Sequence, residues 1–171
     1  FNDDTYVAWV QFGEMLEIIS MDPQLGGVFY TLPQSPSRRP QFRRDRGQCL
    51  LCHANRRTVD VPGPVVRSLY TAPSGQPHFG ARTFVTDHSS PFSQRWGGYY
   101  VTGTHGSMRH LGNTVIPLGE STRNFDYDIG ANVTRLEGLV DTDAYLTPHS
   151  DIVALMVLEH QARMHNLLTR A

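Results

Sequence analysis

The sequence predicts a mainly α protein with extensive ordered loops and a few short strands. Two long segments, one near each end, carry apolar residues at helical spacing. The region between them is divided into short pieces by Pro and Gly, so long elements are not expected there. A chain of 171 residues with 39% hydrophobic residues suits one domain with a real core. We therefore expect a single domain over residues 1–171, with a helix at each end.

The first helix is expected over residues 4–20, with an aspartate as its N-cap. Its apolar positions at helical spacing are Trp9, Phe12, Leu16 and Ile19. Residues 21–48 follow and are rich in Pro, Gly and Arg, with only a short apolar patch. We expect this segment to be an ordered arm or loop.

The later elements are expected to be short until the chain nears its end. A helix over residues 48–56 should stop before Pro62, and β-like runs cover residues 83–86 and 99–102. The second long helix is expected over residues 151–169, capped by Ser150. Its apolar stripe is Val153, Met156, His160, Met164 and Leu167.

The two cysteines of the chain stand in the pentapeptide Cys49-Leu50-Leu51-Cys52-His53. This is the spacing at which proteins bind haem covalently. Each sulfur forms a thioether bond to one vinyl group of the porphyrin, and the adjoining imidazole becomes the first axial ligand of the iron. We predict one covalently bound haem c per chain, with Cys49 and Cys52 as attachment residues and His53 as the proximal ligand.

Two other interpretations of the cysteines are weaker. The two cysteines could form a zinc site with the pair His105 and His110 or with the pair His160 and His165. Compact zinc fingers, however, separate their halves by about a dozen residues, whereas at least fifty residues intervene here. A zinc site also gives no reason for a histidine directly after Cys52. A redox-active dithiol usually lies at the start of a helix that directly follows a strand. A polar loop is expected before the motif here, which argues against this interpretation.

The second axial ligand decides whether the iron passes electrons or binds small molecules. Residues 103–113 form a glycine-rich segment with three donors, and glycines let the backbone approach a flat macrocycle closely. We favour His105, because its flanking glycines leave the imidazole sterically free. The alternatives are His110, Met108, His160 and His88. For His160, a hydrogen-bonded core histidine is the simpler interpretation.

Charge is unevenly distributed along a chain whose net charge is −1. All fifteen basic residues are arginine, and residues 38–67 are strongly basic, whereas residues 1–30 and 120–159 are acidic. A near-neutral chain of this kind is a poor nucleic-acid binder. It could instead dock head to tail on another copy, giving a homo-oligomer or filament, although the same charges could equally pair within one chain. Arg95 and Arg109 are candidate contacts for the haem propionates.

Three further stretches carry a resemblance to known proteins. They are residues 86–106, which contain RWGGYYVTGTHG, then RHLGN at residues 109–113, and DIVALMVLEHQ at residues 151–161. With the CxxCH motif and Pro62-Gly63, they make the chain similar to a poorly characterised group of bacterial proteins that contain a cytochrome c domain. Terminal helices around a CxxCH motif also resemble the class-I cytochromes c in part, so we expect a non-classical monohaem cytochrome c.

The resemblance implies an exported haem protein, periplasmic or at the cell surface, but it implies no particular reaction. The chain begins at Phe1 without a leader pattern, so we expect a mature or trimmed product, and no segment is apolar enough to span a membrane. We expect an electron-transfer carrier or relay that serves redox partner proteins and has no catalytic residues. The alternative is a peroxidase-like haem enzyme or a gas-binding sensor with an open distal side.

Overall fold

A computed structural model describes residues 2–35, 39–78, 80–122 and 125–171. The chain forms two compact units, whereas the sequence predicts one domain. Unit 1 comprises Phe1–Val65 and His160–Ala171, and unit 2 comprises Val66–Glu159. The prediction of a mainly α class is wrong, because helix accounts for 18% of the chain and strand for 21%, with two antiparallel sheets.

Unit 1 contains an antiparallel sheet in the strand order β1-β2-β3-β4. Its strands are β1 (Thr5–Trp9), β2 (Met15–Asp22), β3 (Gly26–Pro33) and β4 (Arg43–Arg44). The helix expected over residues 4–20 is therefore wrong, because that segment is a β-hairpin. The segment 21–48, expected to be an arm or loop, supplies β3 and β4. Residues 36–38 of that segment, including Arg38 of the basic stretch, lie outside the described residues.

The segment forms a hairpin because its apolar residues pair across neighbouring strands, although their spacing in the sequence also fits a helix. Tyr6 pairs with Ile19, which in turn pairs with Phe29 of β3, and this row lies on the buried face. The turn is tight: Phe12 has a φ of 64° and the amide of Gly13 donates to Val10 O at 2.7 Å. Aromatic and β-branched residues fit this half-buried pleated surface well.

The expected motif helix is present but short. It is α1 (Leu50–His53), and a 3-10 turn at Arg56–Thr58 follows it. Asn55 caps that turn, since its side chain accepts from the amide of Arg57 at 2.9 Å. The chain then enters the loop at residues 62–64.

Unit 2 has a two-stranded antiparallel sheet formed by β5 (Arg67–Leu69) and β6 (Thr83–Val85). The strand expected at residues 83–86 is thus confirmed, but the run at 99–102 contributes a single bridge between Thr102 and Asp151. Most of the remainder is turns and loops around a small apolar core. The buried apolar residues of this core include Trp96, Val101, Leu111, Ile116 and Leu136.

The helix α2 (Ile152–Arg170) confirms the expected C-terminal helix, and its residues belong to both units. Asp151 rather than Ser150 caps it, because Oδ1 of Asp151 accepts from the amide of Ala154 at 2.9 Å. The expected apolar stripe lies largely on the exposed face, and the buried positions are Glu159, Ala162 and Asn166. Across the described part of the chain, no helix combines the length and apolar character needed to cross a membrane.

Candidate functional site

The two cysteines lie within one turn of unit 1, at the start of α1 and inside it. Cys49 is partly buried at the N-terminal end and Cys52 is exposed, and both thiols are free. Residues three apart on a helix share a face, so the two sulfurs lie on the same side of α1. Burial raises the pKa of the Cys49 thiol, and the nearby Asp45 carboxylate adds to this effect. The placement of the two cysteines one turn apart fits attachment of both thiols to one porphyrin.

Asp45 fixes the start of the motif. Its Oδ2 accepts hydrogen bonds from the amide of Gly47 at 2.7 Å and from the amide of Cys49 at 3.1 Å. These amides, chiefly that of Gly47, lower the pKa of the Asp45 carboxyl. The amide of Asp45 in turn donates to Phe29 O at 2.8 Å. A continuous set of hydrogen bonds therefore connects β3 to the first cysteine.

His53 and Gly63 are joined by two hydrogen bonds. Nδ1 of His53 lies 3.0 Å from Gly63 O, and the amide of Gly63 donates to His53 O at 2.9 Å. A carbonyl oxygen can only accept, so Nδ1 carries the proton and Nε2 keeps its lone pair. The ring packs against Phe29 with the centroids 5.0 Å apart. His53 is thus held in the tautomer that a metal-ligating imidazole uses, in which the other ring nitrogen donates to a carbonyl.

The loop that supplies this carbonyl is anchored on both sides. The amide of Gly27 donates to Pro62 O at 2.7 Å, and Nδ2 of Asn166 donates to Pro64 O at 2.8 Å. Asn166 is only 2% exposed. A Cβ atom at Gly63 would stand 1.8 Å from Oδ1 of Asn166, so any larger residue here would force the buried Asn166 side chain to move. The role of Asn166 could not be predicted from the sequence. A polar residue on a helix is normally expected on the exposed face, and only the packing of α2 shows that this one is buried.

These features fit a covalently attached haem. Two free thiols and an imidazole with an available Nε2 lie at the N-cap of one short helix and within it. Leu50 and Leu51, between the two cysteines, are 37% and 81% exposed, which leaves apolar surface for a porphyrin to cover. No group of three or more His, Cys, Asp or Glu side chains suited to a metal ion occurs among the described residues.

His105, the favoured distal ligand, lies in unit 2 with both ring nitrogens engaged. Nδ1 is 2.9 Å from Met108 O, and Nε2 accepts from the amide of Asn132 at 3.0 Å. The side-chain oxygen of Asn132 also accepts from the amide of His105 at 2.7 Å. Ligation of iron by Nε2 of His105 requires the bond from Asn132 to break.

His110 is the more deeply buried histidine of this segment, at 4% exposure. Its Nδ1 accepts from the amide of Gly112 at 3.0 Å, so a neutral ring carries its proton on Nε2 and has no lone pair there. The ring packs against Trp96 and His105, with centroids 5.3 and 4.8 Å away. Burial lowers the pKa of His110 to about 4, and the charges of His105 and Arg109 add to the shift.

The remaining distal candidates have diverse surroundings. Met108 is 51% exposed and belongs to unit 2. His88, also in unit 2, accepts from Nη2 of Arg95 through its backbone carbonyl at 3.1 Å. His160 is exposed on α2 and belongs to unit 1. The identity of the distal ligand stays a prediction.

Arg95 and Arg109, the expected propionate contacts, have other partners in unit 2. Arg95 is 5% exposed, and its Nη1 donates to Oε2 of Glu159 at 2.5 Å. Its Nε donates to Ser90 O at 3.0 Å. Arg109 donates through Nε to the carboxylate of Asp128 and through Nη1 to two backbone carbonyls of its own loop. Both arginines stabilise the loops of unit 2, so a haem carboxylate would have to displace these bonds.

Comparisons of the chain with protein-family models, curated proteins and solved structures find no match.

Proposed function

We propose that the protein is a monohaem c-type cytochrome that carries electrons, with haem bound through Cys49 and Cys52 and ligated by His53. The observation that supports this most is the hydrogen bond between Nδ1 of His53 and Gly63 O. A ligating imidazole needs this tautomer, because its free nitrogen must point at the metal with its lone pair available. His149 has the same kind of bond without neighbouring cysteines, so the support comes from the bond together with the CxxCH motif.

When bound, haem supplies a metal centre that takes up and releases one electron. The chain orients the ligand: the Gly63 carbonyl accepts from Nδ1 and so increases the electron density on Nε2. Three hydrogen bonds hold the 62–64 loop in place and with it the carbonyl that orients His53. Cys52 is exposed, so a haem attached there would be accessible to redox partner proteins. We propose an exported location, in the periplasm or at the cell surface.

His105 remains our proposed distal ligand, and its ligation is coupled to a local rearrangement. Nε2 must exchange the amide of Asn132 for the iron, while Nδ1 keeps its bond to Met108 O. Replacing His105 should therefore change the spectrum of the haem-loaded protein. A charge-transfer band typical of methionine ligation would instead assign Met108.

The test is haem loading after co-expression with a covalent haem-attachment system. Wild type should carry one haem that survives denaturation, and Cys49→Ala with Cys52→Ala should abolish it. His53→Ala should remove the native spectrum, whereas His149→Ala should not. His149 is the matched control because its Nδ1 lies 3.1 Å from Thr134 O without a neighbouring cysteine. Wild-type protein without covalent haem would refute the proposal.

Self-assembly into an oligomer or filament is a further part of this proposal, supported by the charges. The three ion pairs found among the described residues, Arg95–Glu159, Arg109–Asp128 and Arg135–Glu137, all lie within unit 2. The basic side chains of β4 and its following turn form no such pair in the described chain. Association that weakens steeply with salt is expected in light scattering and electron microscopy. A strict monomer at low ionic strength would contradict it.

An open distal side, as in a haem enzyme or gas sensor, is the second candidate. It is favoured by the bonds already made by Nε2 of His105 and Nδ1 of His110. Carbon monoxide separates the two candidates. A low-spin ferrous spectrum that carbon monoxide leaves unchanged supports the electron carrier, and rapid binding to high-spin iron supports the open site.

A further inference from the structure

A small hollow lies next to the haem-attachment motif in unit 1. Its volume is about 750 Å³, and Arg43, Arg44, Asp45 and Arg46 line it. This volume falls in the range of about 300–1,000 Å³ that is common for cofactor and small-molecule sites. Because Asp45 accepts from the amide of Cys49, the hollow is joined directly to the first attachment residue.

The charge of the hollow suits an anionic ligand. Three guanidinium groups stand against one carboxylate, and that carboxylate is already used by the amides of Gly47 and Cys49. Among the described residues, none of these three arginines is in an ion pair of 4 Å or less. Guanidinium groups form bidentate hydrogen bonds with carboxylates, and unpaired arginines beside a cofactor site favour a ligand with carboxylate groups.

The sheet register distinguishes the two arginines of β4. Arg43 pairs with Thr31, and Arg44 pairs with Tyr30. Side chains alternate along a strand, so Thr31 shares the face of Phe29, and Arg43 shares that face too. Phe29 is the residue against which His53 packs. Both arginines border the hollow, but the register places Arg43 on the Phe29 face of the sheet, where His53 packs, and Arg44 on the other face.

We propose that Arg43 and Arg46 form the binding site for the two propionate groups of the haem. This inference rests on the proposed function, since it assumes the covalently bound cofactor. It replaces Arg95 and Arg109, whose guanidinium groups are held within unit 2. Arg43 and Arg46 act as positioning residues: they fix the carboxylate edge of the porphyrin while Cys49 and Cys52 fix the vinyl edge. Their positive charge also favours the reduced iron, which carries one positive charge less.

The experiment measures the reduction potential and the resonance Raman propionate bending band of haem-loaded protein. Arg43→Gln and Arg46→Gln should each lower the potential and shift the band. Arg43→Lys should restore most of the potential, because it keeps the charge. Arg44→Gln is the matched control: it removes the same charge from the adjacent position on β4, and it should leave the Raman band unchanged and lower the potential less.

Each outcome bears on the proposal. Equal effects of Arg43→Gln and Arg44→Gln, or an unshifted band in Arg43→Gln and Arg46→Gln, would overturn it. If Arg43→Gln fails to fold, the proposal is still tested by Arg43→Lys and Arg46→Gln. An unshifted propionate band in Arg46→Gln would contradict it. Failure of the proposed function is recognised separately, because wild-type protein would then lack covalent haem altogether.

Discussion

The backbone at Gly63 is in such close contact with the side chain of Asn166 that a Cβ atom at Gly63 would lie 1.8 Å from Oδ1 of Asn166. The φ angle of Gly63 is not in the left-handed region, so the reason for glycine here is the space taken by Asn166. The contact positions the carbonyl that accepts the Nδ1 proton of His53. The orientation of His53, our proposed iron ligand, thus depends on packing against the last turns of α2.

Gly63→Ala should lower the free energy of unfolding by about 1–3 kcal/mol, the usual cost of inserting a methyl group where no space exists. It should also reduce haem loading, because the carbonyl moves away from His53. Asn166→Ala alone removes one hydrogen bond and should cost about 0.5–1.5 kcal/mol. Denaturant unfolding and haem stain measure both effects.

The double variant Gly63→Ala, Asn166→Ala is the control for this prediction. Because it removes the group that the new methyl would strike, its destabilisation should be smaller than the sum of the two single changes. Strict additivity would show that the contact does not act as described.

Asp45→Asn should reduce haem loading and make stability less sensitive to acid. Amide hydrogen bonds lower the pKa of the Asp45 carboxyl in the folded protein. A group with a lowered folded pKa stabilises the fold above its unfolded pKa, near 3.9, and loses that contribution as the pH falls through the folded value. Thermal unfolding between pH 2 and 6 measures the change.

Asp22→Asn is the matched control for Asp45. Its carboxyl pKa is also lowered, chiefly by the backbone amides of Gln24 and Leu25, but it caps a turn between strands. It should reduce the acid sensitivity of stability in the same direction while leaving haem loading unchanged. A loss of haem in Asp22→Asn would mean that loading follows stability and not the motif turn.

His110→Asn should flatten the pH dependence of stability between about pH 4 and 6.5. Burial lowers the pKa of His110 to about 4, so in this window the unfolded chain binds a proton that the folded chain excludes. Stability is therefore highest above pH 6.5 and falls on acidification, by on the order of 2–3 kcal/mol. Asparagine can still accept from the amide of Gly112 but does not titrate.

Urea unfolding at several pH values checks this prediction, with His149→Asn as the comparison. His149 is exposed and its substitution should keep the wild-type slope. An unaltered slope in His110→Asn would show that another group controls acid stability.

Arg95→Met should destabilise unit 2 by about 3–5 kcal/mol, because it leaves the carboxylate of Glu159 buried without its partner. Burial already raises the pKa of Glu159, and the Thr86 and Arg95 side chains oppose that rise. The double variant Arg95→Met, Glu159→Leu should recover much of the loss, since no charge then stays buried. Calorimetry of the three variants measures these values. A shift of the haem potential in Arg95→Met larger than in Arg43→Gln would restore Arg95 as a propionate contact.

The sequence predicted α2 and β6 but not the N-terminal hairpin. Trp9 and Leu16 have helical spacing, yet they face each other across β1 and β2. The same residues fit both a helical pattern and a strand pattern. The pairing of Ile19 with Phe29 of β3 favours the strand. Such partners lie too far along the chain for a local pattern to detect.

The proposed attachment residues could be chosen from the sequence because their chemistry depends on local spacing. Cys49, Cys52 and His53 lie within five consecutive positions, and the structure places Cys49 at the N-cap of α1 and the other two within that helix. Gly63 and Asn166 could not be found in this way. Their roles arise from contacts between distant segments, and no local pattern marks the carbonyl of one or the amide of the other.

The anchoring of the 62–64 loop by Asn166 has a consequence for how the protein matures. The ribosome synthesises the two cysteines long before it synthesises α2. The thiols are therefore present in a chain in which Asn166 does not yet hold the loop that carries the Gly63 carbonyl. The imidazole of His53 therefore gains the full support of its carbonyl partner only after Asn166 of α2 has packed against this loop.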